Sequence, residues 1–233
     1  VVHDNVCRIF DVGVADGQPF ITMQLVRGLP LRLACAEMPL AEQVRVVRDV
    51  ASALHEAHRT GLVHRDVKPS NILVERDADG QWKPFVLDFG LARIVGADGE
   101  TRTGAIAGTL AYMAPEQARG DIKALDRRTD VYSLGATLYE VLTGRPPFVE
   151  DNVHMLLVRL AQDTPPAPRS VRAGIPTDLD TIVLRCLERD PTRRYDSARA
   201  LAEDLQRHLD GEPILARRTT LLHRFTRRVR RHR

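Results

Sequence analysis

Four residues carry the chemistry open to this chain: Asp66, Lys68 and Asn71 within HRDVKPSN at 64–71, and Asp88 in DFG at 88–90. A carboxylate at Asp66 can orient an attacking hydroxyl and accept its proton. The ammonium of Lys68 projects to the same side of an extended loop and can neutralise charge on a group in transfer. Asn71 offers a neutral oxygen and Asp88 a charged one, hard donors of the kind Mg²⁺ prefers. A base, a cation and two metal-binding oxygens make up most of the apparatus for phosphoryl transfer, which asks for positioning and electrostatics more than covalent work. Taken singly, an Asp-x-Lys pair is usually a solvated surface pair and an Asp-Phe-Gly usually a turn. Their order and spacing, with APE following at 114–116, make chance a poor explanation.

These residues need elements to hold them. The apolar runs 6–12 and 19–26, joined by Ala15-Asp16-Gly17-Gln18, predict a β-hairpin. Within 40–60, Val44, Val47, Ala51, Leu54 and His58 step by three and four, which predicts a helix stopped at Gly61. Runs 72–74 and 85–87 predict two strands, with the polar stretch 75–83 as their connecting loop. Residues 91–112 are rich in Gly, Ala and Thr without periodicity, and a loop of that length inside a domain is usually functional. A helix is predicted from about Thr129 to Leu142, ended by Gly144. Two more are predicted near 178–188 and 196–209, beyond a Pro-rich stretch at 163–176.

Composition narrows the class. With 233 residues and 43% apolar content the chain can bury a sizeable core. It has no stretch of about 18 apolar residues to span a membrane. Cys7, Cys35 and Cys186 are too scattered for a disulfide framework or a zinc site, and read as small buried thiols. The net charge of +3 conceals an asymmetry: Arg217, Arg218, Arg224, Arg227, Arg228, Arg230, Arg231 and Arg233 stand in an acid-free terminus, so the remainder is mildly acidic. That balance argues against nucleic acid as a partner.

With HRDVKPSN, DFG and APE in order, the chain resembles the eukaryotic-type (Hanks-type) Ser/Thr protein kinases, in their bacterial receptor-like form, over residues 1 to about 209. The resemblance implies an α+β, protein-kinase-like fold. It would comprise mainly the helical C-terminal lobe (27–209), a remnant of the N-terminal lobe and hinge (1–26), and a basic juxtamembrane-like tail (210–233). It implies transfer of the ATP γ-phosphate to Ser or Thr hydroxyls of proteins, with Mg²⁺ or Mn²⁺, in signal transduction. Asp66 would be the base, Lys68 the phosphate-side cation, and Asn71 and Asp88 the metal ligands. HDNV at 3–6 resembles the family's turn before its fourth strand. Met23 would then be the gatekeeper, Gln24 C=O and Val26 N–H the adenine partners, and Leu73 the floor beneath the ring. Lys68 after HRD-x is the Ser/Thr-type pattern.

The resemblance also assigns supporting roles. Arg65 before Asp66 is the pattern associated with activation by loop phosphorylation, with Thr101 and Thr103 as acceptors. Thr109 in GTLAYMAPE matches the family threonine that contacts the catalytic Asp. Asp130 would brace the catalytic loop, and Glu116 with Arg194 would form a buried structural ion pair.

The family's Gly-rich loop, third-strand Lys and αC Glu have no counterpart here. Two readings stay open: a clipped part of an active kinase, favoured by intact Asp66, Lys68, Asn71 and Asp88, or a truncated pseudokinase acting as a scaffold. Negligible transfer is expected of the chain in isolation. In the tail, Leu221, Leu222, Phe225 and Val229 share a helical face among arginines, so 216–233 reads as contact with an anionic membrane surface or as a solvated tail. The expected setting is cytoplasmic, with the full-length protein a single-pass membrane kinase and a homodimer for trans-autophosphorylation.

Overall fold

At Asp16 and Gly17 the chain adopts left-handed φ of 53° and 78°, the turn that Asp-Gly favours, and the flanking segments pair antiparallel. The strands are β1 (Ile9–Ala15) and β2 (Gln18–Met23), closing at Ala15 opposite Gln18. Strand β1 starts and ends three residues later than the apolar run 6–12, and β2 ends at Met23, before the run 19–26 does. Val6 forms a parallel bridge with Val86, in which the Val86 N–H donates to Asn5 O (2.9 Å) and the Cys7 N–H to Val86 O (3.0 Å). Beyond Met23 the chain leaves the sheet. This computed structural model describes residues 1–89 and 110–216.

A second sheet of order β3-β4-β5 follows, from Leu29–Pro30, Ile72–Arg76 and Trp82–Val86. The loop expected over 75–83 shrinks to 77–81. Asp77 Oδ1 accepts from the N–H groups of Asp79 and Gln81, Gly80 takes φ of 76°, and the Arg76 guanidinium lies 4.2 Å from the Trp82 ring centroid. Strand polarity misled there because Glu75, Arg76 and Lys83 occupy ladder positions.

Among the described residues the α-helices are α1 (Leu31–Ala34), α2 (Leu40–Arg59), α3 (Pro115–Ala118) and α4 (Arg127–Thr143), then α5 (Val153–Gln162), α6 (Pro168–Val171), α7 (Thr177–Cys186) and α8 (Ala198–Leu209). Helix α4 is buried continuously from Thr129 to Leu142, as befits a central pillar rather than an amphipathic surface helix. Asp126 caps its first turn by accepting from the Arg128 N–H, and Gly144 ends it at φ of 82°. Helix α2 turns its apolar face to α4, α8 and β5. Helix α5 is a segment that apolar periodicity leaves unassigned. Its start is signalled by Asn152, whose Oδ1 accepts from the N–H groups of His154 and Met155. The outcome is a mixed α/β protein-kinase-like fold with a largely helical C-terminal lobe and a partial N-terminal sheet.

Candidate active site

The site forms where the 62–71 loop crosses the first turn of α4. Asp130, fully buried, aims its carboxylate at that loop: Oδ2 accepts from the His64 N–H (2.8 Å) and Oδ1 from the Arg65 N–H (2.7 Å). His58 of α2 donates from Nε2 to the same Oδ2 (2.7 Å), so a buried anion is surrounded by donors rather than left unpaired. Held this way, Arg65 adopts φ of 68°, a left-handed state that costs a non-Gly residue about 1–2 kcal/mol. The Arg65 Nε is buried and has no hydrogen-bond partner among the described residues.

His64 links the two halves of the site. The Asp66 N–H donates to its Nδ1 (3.2 Å), which requires Nε2 to carry the proton, and Nε2 duly lies 2.7 Å from Leu87 O. The ring also packs at 4.7 Å against Phe89. Asp66 thereby stands with its carboxylate 2.8 Å from Lys68 Nζ and 2.9 Å from Asn71 Nδ2. The same Nδ2 donates to Asp66 O (2.9 Å), and the described side-chain bonds of Asn71 are both made by its nitrogen.

Asp88 also sits at a left-handed φ, 58°, and is exposed. It lines a cavity of about 180 Å³ with Met23, Cys7, Val6, Leu62 and Phe89. Burial, with the Asp88 carboxylate adding, pushes the Cys7 thiol up; its S–H donates to Gln24 O (3.4 Å). Cys7 was expected only as a buried thiol, and nothing in the sequence placed it beside Asp88. The Gln24 N–H donates to Arg8 O (2.8 Å), Val26 is half-buried, and Leu73 sits on β4 opposite Pro30 and Phe85.

Glu116 and Arg194 meet in a bidentate pair at 2.7 Å for each arm, both side chains buried. Two further features escaped sequence reasoning. Tyr112 donates to Glu140 of α4, which Arg32 also approaches at 3.4 Å, and burial together with that bond pushes the Tyr112 phenol up. Gln117 of α3 reaches the 62–71 loop, donating from Nε2 to Arg65 O (2.9 Å). Gly90, Thr101, Thr103, Thr109 and the tail from Arg217 to Arg233 lie outside the described residues.

Known proteins resemble this chain in sequence and in fold. The protein kinase domain family matches residues 1–206. The serine/threonine-protein kinase PknB of Mycobacterium tuberculosis is 40% identical over 220 residues, covering 91% of this chain and 34% of that protein. PknL of the same species is 44% identical over 202 residues (85% and 49%), and a probable serine/threonine-protein kinase of Streptomyces coelicolor, SCO3848, is 41% identical over 221 residues (91% and 32%). The chain thus spans about a third of the length of PknB and SCO3848. Among solved structures, the kinase domain of M. tuberculosis PknI superposes with a TM-score of 0.70 at 26% identity, over 90% of this chain and 74% of that one.

Proposed function

Because this chain belongs to the protein kinase domain family, we propose that it transfers the γ-phosphate of ATP to Ser or Thr hydroxyls of proteins, with Asp66 receiving the hydroxyl proton. The observation that carries this reading is the bracketing of one Asp66 oxygen by Lys68 Nζ at 2.8 Å and Asn71 Nδ2 at 2.9 Å. A carboxylate so held is aimed, ready to orient a hydroxyl approaching from the open side. Lys68 lies within reach of the same acceptor and can follow the charge that shifts to the transferring group. The donor set at the metal position, the Asn71 amide oxygen and the Asp88 carboxylate, is oxygen only and fits Mg²⁺ or Mn²⁺. When bound, the ion would neutralise phosphate charge. Asp88 follows β5 at a left-handed backbone position and lines the cavity. Met23, Gln24, Val26 and Leu73 would seat the adenine, with residues 1–26 as the N-terminal wall and 27–209 as the catalytic lobe.

Arg65, with its Nε unpaired among the described residues, would take a phosphate placed on Thr101 or Thr103 by a second copy of the chain. Thr109 would touch Asp66, and Glu116, Asp130 and Arg194 would serve as scaffold. The arginine-rich tail would meet an anionic membrane surface on the cytoplasmic face. In support, Asp204 fixes where the tail leaves: it accepts from the N–H groups of Leu215 (2.7 Å) and Ala216 (2.8 Å).

The test is transfer of labelled phosphate from ATP to a Ser/Thr substrate by the natural protein that carries this chain. Asp66→Asn should abolish it. Equal transfer by the variant would refute the assignment.

A further inference from the structure

Three hydrogen bonds hold the two backbone units around Arg65. The N–H of Arg65 goes to Asp130 Oδ1 (2.7 Å), the C=O of Arg65 accepts from Gln117 Nε2 (2.9 Å), and the N–H of Asp66 goes to His64 Nδ1 (3.2 Å). The last two belong to one peptide group, since Arg65 O and Asp66 N share a planar amide. That plane is gripped from both sides, by an imidazole on one and by a primary amide on the other. It follows a left-handed residue, which would relax to ordinary φ if released. Rotating the plane would swing Asp66 away from Lys68 and Asn71.

Gln117 is well placed for the task. Its Oε1 accepts from the Ala114 N–H at the start of α3 (3.1 Å), so the side-chain amide is fixed at one end while its NH₂ reaches out. The preceding residue, Glu116, is pinned by Arg194, so the base of the Gln117 arm is rigid. Gln117 and Arg65 are 52 positions apart, and the bond joins the APE segment to the catalytic loop.

We propose that Gln117 is a positioning residue, whose amide locks the Arg65–Asp66 peptide in the orientation that presents the Asp66 carboxylate. The proposal rests on the kinase reading for its kinetic consequence, but its structural half stands alone. Gln117→Met keeps length and loses both bonds. Gln117→Glu keeps an acceptor for Ala114 and, when ionised, loses the donor and sets an oxygen against Arg65 O.

Steady-state kinetics on the natural protein carrying this chain, beside Asp66→Asn, give the first readout. Both Gln117 variants should lower kcat about tenfold with KM for ATP within about twofold, the signature of lost orientation rather than lost binding. The Gln117→Glu deficit should shrink as pH falls, because the protonated carboxyl regains a donor, while Gln117→Met gains nothing. Amide exchange at Asp66, read in this chain by NMR, gives the second: it should quicken about tenfold in Gln117→Met. Wild-type kcat and unchanged Asp66 exchange in both variants would overturn the proposal. If instead Asp66→Asn keeps full activity, the kinase reading fails, and Asp66 exchange still decides the role of Gln117.

Discussion

Removing one member of the Glu116–Arg194 pair should unfold this chain more readily than almost any other single polar change, and the structure says which member costs more. Arg194 is tied into four places besides the carboxylate's two oxygens: Nε donates to Glu188 O (2.7 Å), Nη1 to Arg128 O (3.0 Å), Nη2 to Arg189 O (3.3 Å), and its guanidinium lies 4.9 Å from the Tyr132 ring centroid. Glu116 has, besides Arg194, the Thr129 hydroxyl at 3.1 Å. In Glu116→Gln the stranded guanidinium keeps its carbonyls and its ring, so the cost should lie near the low end of the ~3–5 kcal/mol expected for breaking a buried pair. In Arg194→Met the carboxylate loses its only cationic partner among the described residues and keeps the Thr129 hydroxyl and its own backbone N–H, while the carbonyls of Glu188, Arg128 and Arg189 lose their donor, which places the cost near the high end. For a domain of this size each kcal/mol shifts Tm by about 2–4 °C, so Glu116→Gln should lose about 10 °C and Arg194→Met more.

The assay is urea denaturation of the chain with Glu116→Gln, Arg194→Met and the double variant Glu116→Gln/Arg194→Met. The double variant should be less destabilised than the two singles summed, because no buried charge is stranded. Additive losses, or a Glu116→Gln variant as stable as the wild type, would refute the reasoning. The pH dependence has a definite sign. Burial alone would push the Glu116 carboxyl up, but the hydrogen bonds and charge of Arg194 outweigh it and hold the group below its ordinary 4.5. A depressed acid contributes stability that is fully present above the unfolded value and lost as pH falls through the folded one. The gap between wild type and Glu116→Gln should therefore be flat at neutral pH and close only on acidification below about 4.5.

Gly135 of α4 faces α7 so closely that an added Cβ would stand 2.3 Å from the Cys186 Cβ, an atom with no room to retreat. Gly135→Ala should lower stability by about 1–3 kcal/mol despite the better helix propensity of Ala, and partial recovery in a Cys186→Gly background, read by thermal melting, would identify the clash as the cause. Asp204, which accepts from Tyr195 Oη (2.8 Å) as well as the Leu215 and Ala216 amides, should anchor the chain's exit from α8. Asp204→Asn leaves a single acceptor oxygen for these donors, so amide exchange at Leu215 and Ala216 should quicken about tenfold or more while the core of α4 is unchanged; equal protection in the variant would count against the anchor.

What the sequence disclosed and what it hid divide along a physical line. Asp66, Lys68 and Asn71 were legible because one short loop must supply all three, so their separation along the chain reflects their separation in space. Helix α2 was legible because its buried face repeats every three or four residues up to Gly61, and α4 because its apolar run ends at Gly144, both glycines sitting at left-handed turns. Asp130 carries no local sign of its role, and only the resemblance to a known family pointed from it to the loop at 64–66. Gln117 had not even that sign, because one amide reaching a carbonyl 52 residues away leaves no periodicity and no spacing. The same holds for Tyr112 on Glu140 and for Cys7 beside Asp88. Strand ends were misjudged where charged residues sit on the ladder: Arg76 stays in β4 because its guanidinium covers Trp82, a cross-strand partner that neither residue announces alone. A catalytic loop compresses its chemistry into a few positions so that substrate meets it all at once, whereas the bracing of the 64–66 segment comes from Asp130 and Gln117, far along the chain. The groups proposed to react therefore stand together in sequence, and the contacts that aim them become readable only in space.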